Sequence, residues 1–148
     1  MKNFEKLKKL GAIKGDTNFC GVVTLAVVAD KTYEEAYTIL KACGRKHGDG
    51  IYMSQLKKGL ETAGHKYGVR VSIVKILDAL REHKNYNVKN LTTKQLNRNI
   101  KMLERLGILE AGAKYVITTN GHVLGCDGEV VDWSSNRALR ILSITQVV

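Results

Sequence analysis

The chain has 148 residues, 44% of them hydrophobic, and carries 24 Lys and Arg against 14 Asp and Glu, a formal charge of +10. That length makes one domain the default, and that apolar fraction can build a core, which sets aside a disordered or fibrous chain. No apolar run approaches the roughly 18 residues of a membrane span, proline is absent and with it any proline-rich linker, and so basic a balance attracts polyanions, nucleic acid first.

The N-terminal segment MKNFEKLKKLGAIKG is basic but lacks the apolar stretch of a secretory signal. The three cysteines are therefore expected as reduced thiols, in a cytoplasmic protein. Phe4, Leu7 and Leu10 have helical spacing and predict a short helix near residues 3–10, broken by Gly11 and Gly15. Asp16, Thr17 and Asn18 are good N-capping types ahead of CGVVTLAVVAD. That segment is apolar almost all round, which predicts a buried helix, although its β-branched content also permits a strand. Thr32 with Glu35 forms a capping-box pattern that opens TYEEAYTILKAC, and Gly44 ends it as a natural C′ residue.

The glycines of GRKHGDG predict a loop. MSQLKKGLETAG follows as a helix with Met53, Leu56, Leu60 and Ala63 on one face. VSIVKILDALREH is helical by Ile73, Ile76, Leu77 and Leu80, and KNYNVKN is a polar loop. Thr92 or Thr93 caps TKQLNRNIKMLERLG, whose apolar face is Leu96, Ile100 and Leu103. Lys94, Arg98, Lys101 and Arg105 fall on the opposite face.

The period then changes. AKYVITTNGHVLGCDGEVVDW holds short β-rich runs separated by Asn120-Gly121 and Asp127-Gly128, and ALRILSITQVV reads as a last strand. The expected fold is α+β, a single domain over residues 1–148 with a helical part over about 1–110 and an antiparallel sheet over about 111–148.

Three features of this order bear on chemistry. Cys20 opens a helix, where free backbone N–H groups and the macrodipole favour a thiolate, the nucleophilic form. Its own N–H can face a developing oxyanion, and Gly21 allows a substrate to approach the backbone closely. His122 begins a strand after a turn, a fixed position for a general base and acid. Asp132 lies one strand later, where an acid can hold a ring nitrogen of His122 and fix its tautomer. An ideal two-residue turn at Asp127-Gly128 would set His122 opposite Trp133 and turn Asp132 to the other face; a bulge or longer loop corrects that parity. Cys43 and Cys126 read as small buried hydrophobes, and His47, His65 and His83 as solvent-exposed. The cysteines lack the CxxC spacing of a zinc site, and neither a metal nor a cofactor is expected.

The Cys in an N-x-CG context on a buried helix, followed by GHVLGxDGxVxD on a late hairpin, resembles the papain-like cysteine peptidase superfamily, especially its small bacterial and phage-type members. The resemblance covers roughly residues 14–44 and 112–148. It implies a nucleophile helix packed on an antiparallel sheet and a Cys20–His122–Asp132 triad that cleaves or transfers an amide or related acyl bond of a protein or peptide substrate. The Cys20 N–H is the expected backbone donor of an oxyanion hole, with Asn18 or Thr17 as its side-chain donor; Gly21, Gly121 and Trp133 are candidate substrate contacts, and Trp133 also reads as a packing residue over the His122–Asp132 pair. One departure is plain: the superfamily's oxyanion Gln before the Cys is missing, since no Gln occurs in the first 50 residues. The alternative reading is a catalytically inactive papain-like module that binds nucleic acid or a host protein through its basic surface, Lys94, Arg98, Lys101 and Arg105, with no membrane partner.

Overall fold

The computed structural model describes residues 20–131 and 138–148. The helix expected near residues 3–10 and the capping residues Asp16, Thr17 and Asn18 lie outside them. The described residues form helices α1 (Cys20–Val28), α2 (Tyr33–Ala42), α3 (Met53–Thr62), α4 (Ile73–Lys84) and α5 (Thr93–Arg105). The strands are β1 (Tyr67–Arg70), β2 (Lys114–Thr119), β3 (His122–Asp127), β4 (Val130–Val131) and β5 (Ile141–Val147). They make one antiparallel sheet of order β1-β5-β2-β3-β4. The α+β class is as expected, and no helix among the described residues is long and apolar enough to cross a membrane.

Local signals set the helix ends. Thr32 Oγ1 accepts from Glu35 N–H and the Glu35 carboxylate accepts from Thr32 N–H, both at 3.1 Å, completing the expected capping box of α2. Gly44 follows that helix at φ +102°, a left-handed position that glycine takes without cost. Thr92, not Thr93, caps α5, paired in the same way with Gln95.

Packing overrides propensity in α1. Its residues from Gly21 to Val28 are all buried, so the β-branched valines stand in a helix enclosed on every side. Val22, Leu25 and Val28 are fully buried, and each such side chain stabilises the fold by about 1.5–3 kcal/mol. The α1 core continues through Tyr33, Leu40, Leu56 and Leu60 to Val116, Val123 and Val147 on one face of the sheet. The other face carries Tyr115, Ile117, Leu124, Cys126, Ile141 and Ile144 against α4 and α5. The sheet is thus covered on both sides, with the two faces of β2 and β3 alternating between the two cores.

Three details differ from expectation. The strand β1 lies inside the stretch read as helical and pairs with β5, so the sheet draws on both parts of the chain. Met53 is 41% exposed and takes no part in the apolar face of α3, where Gly59 stands instead. A register shift between Thr118 and Thr119 against β5 puts Leu142 outward and brings Ile141 and Ile144 into one core, although their odd spacing would otherwise assign them to opposite faces.

Glycine admits α1 to the sheet. A Cβ at Gly125 of β3 would lie 3.0 Å from Val27 Cγ1 and 3.1 Å from Val27 Cβ. Gly125→Ala is therefore expected to destabilise the protein by about 1–3 kcal/mol, the cost of overpacking a filled core; equilibrium urea unfolding measures it, and an unchanged midpoint would show that α1 does not press on β3 here.

Candidate active site

The first turn of α1 meets the start of β3. The described pairs between β3 and β4 are Gly125 with Val131 and Cys126 with Val130. Backbone N–H and C=O groups of a strand lie in the plane of its sheet, and those of Val123 turn to α1. Its N–H hydrogen-bonds the Cys20 sulfur. Its carbonyl accepts from Thr24 Oγ1 at 3.3 Å. Cys20 and Thr24 are four residues apart, one above the other on the same side of a helix. A single strand residue therefore fixes both the height and the rotation of the helix that Cys20 opens.

His122, the neighbour of Val123, hydrogen-bonds the Cys20 side chain. Residues 102 apart in sequence are brought together by the strand order and by the Asn120-Gly121 turn, which closes the pair Thr119–His122. Gly121 has φ +70°, which explains glycine at that corner, and a Cβ there would meet nothing within 4 Å.

The thiol responds to this setting. Burial pushes the Cys20 pKa up, but the hydrogen bond from His122, the ring's charge and the N–H groups of Val123 and Gly21 pull it down further, so it lies below the ordinary thiol value. Cys126, on the same strand as His122, has the opposite fate: burial first, then Asp127 and Glu104, push its thiol up to about 12. All three cysteines are free. Cys43 is half-buried at the end of α2, more open than the buried position expected of it. His47 and His83 are exposed as expected, while His65 is half-buried.

Gly21 serves a purpose other than the expected one. It is buried, and a Cβ there would fall 2.4 Å from Ile51 Cγ2, so the space that glycine opens is filled by Ile51 and not left for a substrate. Ile51 comes from the loop 43–52, which is anchored to α2. Tyr37 Oη and His47 Nδ1 are 2.9 Å apart, and the Arg45 guanidinium, 4% exposed, lies 5.9 Å from the Tyr37 ring centroid. Sequence reading passed over Thr24, Ile51 and Arg45. Only Thr24 left a signal, a hydroxyl one helical turn beyond Cys20 in an otherwise apolar helix.

Asn18, Asp132 and Trp133 lie outside the described residues. The loop before them is the longer of the two forms considered: Cys126 stands opposite Val130 with three residues between, not two. The first Gln of the chain, Gln55, accepts from Tyr52 N–H at the start of α3. A groove of about 720 Å³ lies along β1, the end of α5 and the 106–111 loop, bordered by Val69, Lys75, Leu106 and Gln146, and shares no residue with the Cys20 site. Set against protein families, curated proteins and solved structures, the chain finds no match.

Two outcomes are expected from this geometry. The rate of Cys20 alkylation by iodoacetamide, corrected with Cys20→Ala for the other thiols, should rise with an inflection below about 8.5, the value of a free thiol. His122→Ala should move that inflection upward, since the pull of the ring is lost while burial remains. Thr24→Val should leave the Val123 carbonyl unpaired in the core, cost about 1–3 kcal/mol in urea unfolding, and also raise the Cys20 inflection. A Thr24→Val protein that loses stability yet titrates as before would separate the helix anchor from the thiol.

Proposed function

We propose that this protein is a papain-like thiol hydrolase or acyltransferase acting on amide or related acyl bonds of a protein or peptide substrate. The observation that carries the reading is the hydrogen bond between Cys20 and His122, with the thiol held below its ordinary pKa at a helix start. The Cys20 thiolate attacks the acyl carbon and forms the C–S bond. The N–H of Cys20, with Asn18 as the side-chain donor in place of the missing Gln, stabilises the oxyanion. His122 passes its proton to the leaving nitrogen or oxygen as that bond breaks. It then takes a proton from water, or from an acceptor nucleophile, which attacks the thioester and restores the thiolate. Asp132 orients the His122 ring, and Gly121 and Trp133 border the substrate.

The test is to trap the acyl-enzyme. The protein is mixed with activated peptide esters and with peptide amides, quenched in acid and measured by intact mass. An acyl adduct on Cys20 is expected, absent in Cys20→Ala, with acylation slowed about 10²–10⁴-fold in His122→Ala, the range of general acid–base catalysis. A protein whose Cys20 alkylates readily but never acylates, across both substrate types, would be a scaffold that binds without cutting, and the hydrolase reading would fall.

A further inference from the structure

The exposed face of α5 has no role in the Cys20 site. Lys94, Arg98, Lys101 and Arg105 are all exposed, while Leu96, Ile100, Met102 and Leu103 of the same helix are buried. At about 1.5 Å of rise per residue the four cations run along roughly 16 Å of helix. Glu104, half-buried, is the helix's one acid. Arg81 pairs with Asp78 at 3.0 Å on α4. The row continues past the helix start. Thr92 bridges to Arg140 and Ile141 N–H donates to the Leu91 carbonyl, which sets exposed Arg140 beside the first turn, with exposed Lys89 two residues before Leu91.

We infer that the α5 face, Lys94, Arg98, Lys101 and Arg105 extended by Arg140, is a docking surface for the phosphate backbone of nucleic acid. Charge complementarity selects this occupant. A duplex presents one negative charge per about 1.7 Å of axis, so every cation of a row this long has a phosphate within reach. Asn97 on the same helix accepts from the Val130 N–H through its Oδ1 at 2.9 Å, which leaves its side-chain amide N–H groups to donate to phosphate or sugar. A bilayer is a poor fit, because a membrane-surface helix needs an apolar face to bury in lipid. The apolar face of α5 is already spent on the core, and the exposed large hydrophobics next to this surface in sequence are single residues, Leu106 just past the helix end and Leu142 two residues beyond Arg140. A row of cations recognises backbone charge, so the binding is independent of sequence.

The experiment is a salt titration with the full chain and a fluorescein-labelled duplex of 20 base pairs, read by anisotropy between 50 and 200 mM KCl. The four helix cations predict a log–log slope of about −3.6, a loss of about 150-fold in affinity over that range, and Arg140 steepens it by up to about 0.9. The quadruple variant Lys94→Ala, Arg98→Ala, Lys101→Ala, Arg105→Ala should abolish most of the binding and of the slope. A second quadruple, Lys41→Ala, Lys57→Ala, Lys58→Ala, Lys66→Ala, removes the same charge from exposed positions elsewhere and should bind nearly as wild type. Arg98→Ala alone, checked for fold by circular dichroism, should lower the slope by about 0.9. Equal losses in the two quadruple variants, no binding at 50 mM, or binding to phosphatidylserine vesicles in preference to the duplex would each overturn the inference.

Discussion

The backbone of Val123 ties a helix to a strand. Its N–H goes to the sulfur of Cys20 and its carbonyl to the hydroxyl of Thr24, so the two polar groups that β3 turns toward α1 at this position are satisfied by that helix. An unpaired buried backbone group costs as much as a lost hydrogen bond, so the helix is held at this height rather than sliding along the strand. The Cys20–His122 pairing depends on that constraint. His122 precedes Val123, and Cys20 is the first residue of α1, so fixing one rung fixes the other. Farther along, Gly125 supplies the close approach that lets Val27 and Val28 settle on the same strand.

The remainder of the molecule serves to keep α1 in place. A helix apolar on all sides is unstable unless every side is covered. The sheet covers one side, α2 and α3 the others, and Ile51 closes over Gly21 at the helix start. The loop that brings Ile51 is itself tied down through Arg45, Tyr37 and His47. On the far face, α4 and α5 cover the side chains that α1 does not touch and leave a cationic surface toward solvent. The two halves of the chain are joined through the sheet, where β1 from the helical half pairs with the last strand.

Much of this was legible from local chemistry. The capping boxes at Thr32 and Thr92, the end at Gly44 and the strand pairs either side of Asn120-Gly121 are each specified by a few neighbouring residues. So were the Cys20 and His122 positions, since a helix start and a strand start can be read from flanking residues. What stayed hidden depended on contacts distant in sequence. The four residues of β1, three of them exposed, have no apolar alternation to betray a strand. The outward turn of Leu142 breaks the period of two on which strand reading rests. Gly21 next to a cysteine reads as room for a ligand, and only the fold reveals Ile51 in that space.

Cys20 and Cys126 separate burial from activation. Cys126 is buried and Cys20 half-buried, and loss of water disfavours the thiolate in each. At Cys126 the nearest charges are the carboxylates of Asp127 and Glu104, which add to the cost of burial. At Cys20 the neighbours are an imidazole and two backbone N–H groups, all of which favour the anion, and together they outweigh burial. The helix start supplies one of those N–H groups, at Gly21, and β3 supplies the other, at Val123. A low-pKa thiol at this point is therefore a property of the α1–β3 junction, and the same residue type three positions beyond Val123, on the sheet's other face, is inert for want of it.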